Sequence, residues 1–554
     1  MKAIGIGTDD FKEIRENDYL FIDKTLLIRE LIDDGSKALL FPRPRRFGKS
    51  LNMSMLDYYF NLEYKDISKD LFNGLNISKC SDRYLNEMNK YPVVSLSLKE
   101  CKKDSYNDFI DNFKTIISKL YSKYTYLLDS PLIKEIDKEY FRNCLDKKQE
   151  IELARCISNL IDMLSIYHKE QVIVLLDEYD TPIMESYLKG FYKEVINFMK
   201  DLFTNTFKGN LNLKKGIITG ILRVSKEGMF SEANNIKVYS VCDYKYSTYF
   251  GFLEGEVKDS LKDYNLSGKY EDVKKWYDGY LFGESKIYNP WSILNFLSDP
   301  KNSFRTYWVN TGGVDLLKDL IYRINDNSIL LSEYHKLLET GIITNIDLDL
   351  YMDLNTLKGN DNTVWTLFML SGYLTPIEYN DSTNNITLKI PNLEIKENLE
   401  KICLKWFTTE IFENYNFSNL LLRNSIEKFK SDFKDVVLKS FSYYDVPNND
   451  SGENFYHAFV MELLYSGNRN FYITSNRESG FGRYDLLLKP KNNSCNHAYI
   501  IEFKAIEEND FEKTLEKAFI QIEDKNYAAS LSEYDVTKIV IVFKGKDIRI
   551  ETRK

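Results

Sequence analysis

The chain has 554 residues, 43% hydrophobic and 28% charged, with only 25 Gly and 11 Pro, so it is a folded protein of roughly three to four domains and not a disordered one. A formal net charge of -9 excludes a globally basic nucleic-acid coat and leaves only local patches for binding phosphate. The seven cysteines, from Cys80 to Cys495, have no paired short spacing and form neither a disulfide framework nor a zinc site; His168, His335, His457 and His497 are equally dispersed.

The N-terminus "MKAIGIGTDDFKEIREN" has no apolar signal core, and the longest apolar runs, such as "VIVLL" and "IVIVF", are too short to span a bilayer. A reducing, cytoplasmic location without membrane attachment is expected. The run "KALLF" from Lys37 reads as a strand closed by Pro42, followed by an arginine turn and by "SLNMSMLDYYF" with apolar residues at helical spacing. Strand, loop and helix in this order make a phosphate-binding loop: backbone N–H groups wrap phosphates, Lys49 reaches the terminal ones, and Ser50 holds Mg²⁺. The candidate nucleotide-binding stretch is Arg43, Arg45, Arg46, Phe47, Gly48, Lys49 and Ser50, and Arg43 stands where the first glycine of such loops is usual. The three arginines are candidates to face phosphates or nucleic acid, or else a solvated turn.

Further along, "QVIVLLDEYDTPI" from Gln171 is a buried-type strand ending in Asp177 and Glu178; Asp177 suits Mg²⁺ and Glu178 the polarisation of an attacking water. A third apolar run, "KGIITGIL", ends near Thr219 and Arg223, polar groups that could sense a terminal phosphate. With "PVVSLSL" and intervening helical stretches, the β/α alternation predicts a parallel sheet with helices on both faces and a ligand at the carboxyl ends of the strands. From about Phe230 to Pro290 the chain turns irregular and aromatic and reads as a mainly helical lid whose Trp276, Tyr277 and Trp291 serve as core anchors. Residues 362 to 395 read as a helix, "TVWTLFMLSGYL", followed by a β-hairpin, a winged-helix arrangement with no cation in its tip "NDSTNN".

The C-terminal segment "ESGFGRYDLLLKPKNNSCNHAYIIEFKAI" reads as two strands of a hairpin. Glu502 and Lys504 share one strand face through the period of two, and an antiparallel pairing brings Asp485 to them. Two carboxylates hold Mg²⁺ or Mn²⁺, a backbone carbonyl such as that of Phe503 can complete the ligands, and the Lys504 ammonium orients water or balances charge: the set that metal-assisted phosphodiester hydrolysis needs. Upstream, "ENFYHAFVMELLYS" is a predicted helix with Glu453 and His457 on one face. Gly480, Gly482 and Arg483 give a flexible, cationic approach.

The segments "FIDKT", "LLFPRPRRFGKSL", "VIVLLDEYDTPI", "ITGILRVSKEGMFSEANN", "WYDGY" and "IYNPWSI" resemble the bacterial AAA-ATPase-like family whose members usually end in a PD-(D/E)XK nuclease domain. The resemblance implies that Arg43 is the family's own variant of the loop. It also implies metal binding at Asp485 and Glu502, a catalytic cation at Lys504, and supporting roles for Glu453, His457, Arg483 and Gln521, the last on the helix "LEKAFIQIEDKNY". The expected fold is α/β: a P-loop NTPase domain over 1–230, a helical and winged-helix region over 231–410, and a PD-(D/E)XK nuclease-like domain over 411–554. The expected function is an ATP-binding ATPase that gates a Mg²⁺-dependent nuclease acting on DNA, ahead of RNA, with homo-oligomerisation compatible. The alternative is a non-catalytic nucleotide switch or scaffold, and a purely DNA-binding regulator ranks last.

Overall fold

A computed structural model describes residues 2–147, 151–222, 235–299, 304–308, 328–347, 354, 361–380, 385–400, 417–440, 460, 463–464, 470–475, 478–479, 482–483, 485–491, 496–506, 510–525, 531, 533–544 and 547–554. The chain divides into two compact units, one of Met1–Leu330 with Ile342–Lys396 and one of Leu331–Gly341 with Glu397–Lys554. Of the middle region expected over 231–410, residues 331–341 and 397–410 belong to the second unit and the rest to the first.

In the first unit, β1 (Ala38–Pro42), β2 (Val93–Ser97), β3 (Val172–Asp177), β4 (Leu213–Gly220) and β5 (Ile236–Val238) form a sheet in the order β2-β3-β4-β1-β5. Every pairing is parallel. All residues of β1 and β3 are buried, so these strands read as unbroken apolar runs and not as alternating ones. Both β1 and β3 neighbour β4, so three strand ends converge: Pro42 pairs with Gly220 and Leu176 with Ile218.

The aromatic region after this sheet holds helices Glu254–Asp263, Tyr270–Tyr277 and Pro290–Ser298, but also a small antiparallel sheet that the lid reading did not foresee. Its strands are β6 (Phe252–Leu253), β7 (Tyr280–Phe282) and β8 (Ser285–Tyr288), in the order β6-β8-β7. Gly283 makes the tight β7–β8 turn at φ 54, the left-handed region that two-residue hairpin loops require. Tyr277 packs with Tyr288, Ile293 and Phe296 in one core and Trp276 lies partly buried against it, whereas Trp291, expected as a further core anchor, is half-buried outside that core.

The helix Asp361–Ser371 precedes an antiparallel hairpin, as predicted, and β9 (Ile342–Asp347) adds a third strand to β10 (Thr375–Asn380) and β11 (Asn385–Lys389), in the order β10-β11-β9. The hairpin tip, 381–384, lies outside the described residues. From Thr363 to Leu370 the helix is buried on every side, with Trp365, Leu367 and Phe368 fully buried.

In the second unit, β12 (Phe471–Ser475), β15 (Leu486–Pro490), β16 (His497–Ala505), β17 (Asp535–Lys544) and β18 (Asp547–Arg553) form a sheet in that order; β13 (Glu478–Ser479) and β14 (Gly482–Arg483) pair separately. All pairs are antiparallel except β16 with β17, which the helix Phe511–Asp524 joins as a crossover. Alternate residues feed two cores. Phe471, Ile473, Leu486, Leu488, Ile501 and Phe503 meet the helices Phe417–Leu422 and Ile426–Ser440, while Leu487, Ala498 and Ile500 meet Leu515, Ala518 and Phe519 of the crossover helix. Among the described residues no helix is long and apolar enough to cross a membrane.

Candidate functional site

The loop after β1 answers why an arginine can stand at its entrance. The Arg43 N–H donates to the Gly220 carbonyl at 2.9 Å, so the backbone here still extends the β1–β4 ladder. Positive φ falls instead on Arg46 (67°) and Gly48 (80°). Gly48 caps the helix Lys49–Phe60, at whose first turn Lys49 and Ser50 stand.

The Arg43 side chain is not where the sequence reading put it. It is fully buried, donating to the carbonyls of Pro42 (2.8 Å) and Tyr239 (2.7 Å), with its guanidinium carbon 4.9 Å from the Phe250 ring centroid and 5.5 Å from that of Phe282. Burial holds its pKa down at about 10, and Nε and Nη2 have no partner among the described residues. Arg43 therefore ties the ends of β1 and β5 to the aromatic region and does not point at a phosphate. Phe47 is likewise a core residue, edge-on to Tyr280 with centroids 5.0 Å apart. Arg46 is exposed and lies over the Trp291 ring at 4.0 Å, and the Trp308 indole donates to the Arg45 carbonyl at 3.2 Å. A Cβ on Gly372, just past the buried helix Asp361–Ser371, would come within 2.9 Å of Pro44. The aromatic and helix–hairpin parts thus brace the loop along its length.

The groups expected to meet nucleotide do converge. The Lys49 ammonium donates to the carbonyls of Arg43 and Pro44, each at 2.9 Å, and burial lowers its pKa against the opposing pull of Glu178 and Asp177. Ser50 donates to Asp177 Oδ2 at 2.6 Å, Thr219 donates to Asp177 Oδ1, and the Glu178 N–H reaches the same oxygen at 3.0 Å. Glu178 itself sits in the left-handed region at φ 51, half-buried, with Thr181 donating to its Oε2 at 3.3 Å. Arg223 lies outside the described residues.

Asp180 is the residue that sequence reasoning missed. It is buried, its carboxyl pushed up by desolvation, and its Oδ2 accepts the N–H groups of Ile221 and Leu222, both at 2.7 Å. Gly220 is required beside it, since a Cβ there would lie 2.7 Å from Asp180 Oδ1 and from the Tyr179 ring. The available signals were the second Asp of "LDEYD" and the glycine at the end of β4.

A second buried carboxylate was also unforeseen. Glu394 accepts from Ser292 at 2.7 Å and from the backbone N–H groups of Tyr307 (2.6 Å) and Trp308 (2.7 Å), fixing the two segments that present Trp291 and Trp308 to the loop.

In the second unit the pairing of Leu486 with Ile501 sets Asp485 opposite Glu502. Asp485 Oδ2 accepts the Phe503 N–H at 2.8 Å. Glu502 is 1% exposed; its Oε1 accepts from Gln521 at 2.6 Å and from Lys504 at 3.2 Å, while Oε2 is buried with no hydrogen-bond partner among the described residues. Burial, reinforced by the charge of Asp485, pushes the Glu502 carboxyl up to about 7. Asp485, Glu502, Lys504 and Gln521 are thus one constellation, built by a hairpin and by the crossover helix that returns over it. Glu453 and His457 lie outside the described residues, and Arg483 is placed only by its backbone pairing with Glu478.

An oxygen-only donor set with an orphaned buried carboxylate oxygen fits a hard divalent cation such as Mg²⁺ or Mn²⁺, which would satisfy Glu502 Oε2 and favour its ionised form.

Residues 5–230 match the model of a family described as predicted AAA-ATPase, and residues 451–553 match the PD-(D/E)XK nuclease superfamily. An uncharacterized protein in the vnfD 5′ region of Azotobacter chroococcum mcd 1 is 25% identical over 538 residues, covering 95% of this chain and 93% of that protein. The chain therefore joins an AAA-ATPase-like domain at its N-terminus to a PD-(D/E)XK nuclease superfamily domain at its C-terminus.

Proposed function

We propose that the protein binds ATP with Mg²⁺ in its first unit and, in its second, hydrolyses phosphodiester bonds of nucleic acid, DNA ahead of RNA, under control of the nucleotide state. The observation that carries the nuclease reading is that Glu502 Oε2, beside Asp485, is buried with no hydrogen-bond partner among the described residues. Asp485 and Glu502 would hold the cation. Gln521 fixes the Glu502 carboxylate from one side, the Phe503 N–H orients Asp485, and Lys504 stands where it can align a water or balance phosphate charge. The bound cation supplies Lewis-acid stabilisation of phosphate charge and a more acidic water.

For the first unit the support is the convergence of Lys49, Ser50, Asp177 and Thr219 at the strand ends. Nucleotide phosphates would replace the Arg43 and Pro44 carbonyls as partners of Lys49, Ser50 and Asp177 would carry Mg²⁺, and Glu178 would polarise the attacking water. Because Lys49 is already satisfied by the loop, binding entails a local rearrangement, and this favours a nucleotide switch as the second reading.

The test is cleavage of single- and double-stranded DNA and RNA with Mg²⁺ or Mn²⁺, with and without ATP, beside Asp485→Ala and Lys49→Ala. Cleavage lost in the first variant and altered in its ATP response in the second is expected. ATP binding without any cleavage by the parent protein would sink the nuclease and leave the switch.

A further inference from the structure

Beside the carboxylates, the crossover-helix side of the second-unit sheet carries, past the buried Leu487, polar and aromatic groups that lie outside its core. Along β15 and its continuation, Asp485, Leu487, Lys489 and Lys491 point to the side of the crossover helix, while Leu486 and Leu488 enter the opposite core. Lys489 confirms the side: its ammonium lies 5.2 Å from the centroid of the Tyr534 ring, which packs against the crossover-helix core. On β12, an edge strand, Tyr472 pairs with Lys489 and Thr474 with Leu487, so Tyr472 shares that face while Phe471 and Ile473 are in the other core. Tyr472 is 60% exposed, and Lys491 lies over its ring at 5.4 Å.

The crossover helix borders the same ground. Gln521, which touches Glu502, has exposed Lys517 one turn before it and exposed Lys525 one turn after. From Asp485 to Lys489 the path is four residues of strand, roughly 13 Å. On an acidic chain, an exposed aromatic ring beside Lys489 and Lys491 at the sheet edge, with Lys517 and Lys525 flanking Gln521 at the carboxylates, is complementary to a polyanion with flat bases.

We propose that a single-stranded DNA segment flanking the cleaved bond runs from Asp485 and Glu502 along this face to the sheet edge, with one base stacked on Tyr472 and its phosphates met by Lys489, Lys491 and Lys517. The inference rests on the nuclease reading and deepens it by naming an unpaired strand as the ligand. A duplex keeps its base faces stacked internally and cannot offer one to Tyr472. An RNA strand of the same sequence offers the same base faces and phosphates and gains no advantage from stacking and charge.

The test uses the full chain without divalent metal and oligodeoxynucleotides carrying 2-aminopurine at successive positions. Quenching of the analogue at one position is expected, with single-strand binding weakened roughly 5- to 100-fold in Tyr472→Ala. Tyr472→Phe should bind as the parent does, and the pair Lys489→Ala and Lys491→Ala should flatten the salt dependence. Unchanged affinity in Tyr472→Ala, absence of quenching, equal preference for duplex, or tighter RNA binding would each overturn the proposal. Quenching through Tyr472 with no Mg²⁺-dependent cleavage would remove the nuclease and keep the strand site; cleavage with affinity indifferent to Tyr472 would do the reverse.

Discussion

The two candidate sites treat their polar groups in opposite ways. At the phosphate loop Lys49, Ser50, Asp177 and Thr219 are all engaged with one another or with backbone carbonyls. In the second unit Glu502 keeps one oxygen buried and without a partner among the described residues, and its carboxyl is pushed up to about 7. A closed hydrogen-bond set can rest stably without ligand and must open to bind. An open one stores desolvation cost that a ligand relieves, so the two sites should answer differently to the same kinds of change.

The largest expected effect is Asp485→Ala, which should lower Mg²⁺-dependent cleavage by about 10³-fold or more, equivalent to about 4 kcal/mol, while leaving ATP affinity unchanged. Next, Lys49→Ala should weaken ATP binding on the order of 100-fold by calorimetry, with cleavage retained in the absence of nucleotide. If Lys49→Ala binds ATP as well as the parent, the closed set is not a nucleotide site and the contrast loses one side.

The third effect concerns pH. Glu502 has a folded pKa of about 7 against an ordinary 4.5, so between those values the folded chain keeps a proton that the unfolded chain has lost. Stability from this group is therefore greatest below 4.5 and falls as pH rises to about 7. Glu502→Gln should raise the melting temperature of the second unit by a few degrees at pH 8 and not at pH 4, and Mg²⁺ should do so for the parent protein at pH 8 alone. A melting curve indifferent to both would show that the orphaned oxygen costs nothing.

Smaller again, Gly220→Ala should destabilise the first unit by about 1–3 kcal/mol in denaturant titration, because its Cβ meets Asp180 and Tyr179. Smallest, Arg46→Ala should cost about 0.5–1 kcal/mol through loss of its contact with Trp291.

Much of this was legible because local pattern and tertiary role agree. The all-buried β1 and β3 announce themselves as apolar runs, and "GKS" after one with Asp177 closing the other places the loop site without any long-range information. The period of two likewise delivers Glu502 and Lys504 to one face, and the hairpin delivers Asp485. What escaped was set by partners distant in the chain. The arginines of "RPRR" read as phosphate- or solvent-facing, and it is the distant Tyr239, Phe250 and Phe282 that enclose Arg43. The strands β6 to β8 are too short for their alternation to register, and β9 joins β11 from across a long intervening stretch. Asp180 and Glu394 look like ordinary acidic positions until the backbone N–H groups they accept are known.

The tryptophans that brace the loop have one further consequence. Of the five in the chain, Trp291 lies against a loop arginine and Trp308 donates to a loop carbonyl. Any rearrangement that frees Lys49 from the Arg43 and Pro44 carbonyls moves the surroundings of two indoles. The unmodified protein thus carries an optical reporter: its ultraviolet emission should change when the loop opens, and the kinetics of that opening can be followed by stopped flow without any label.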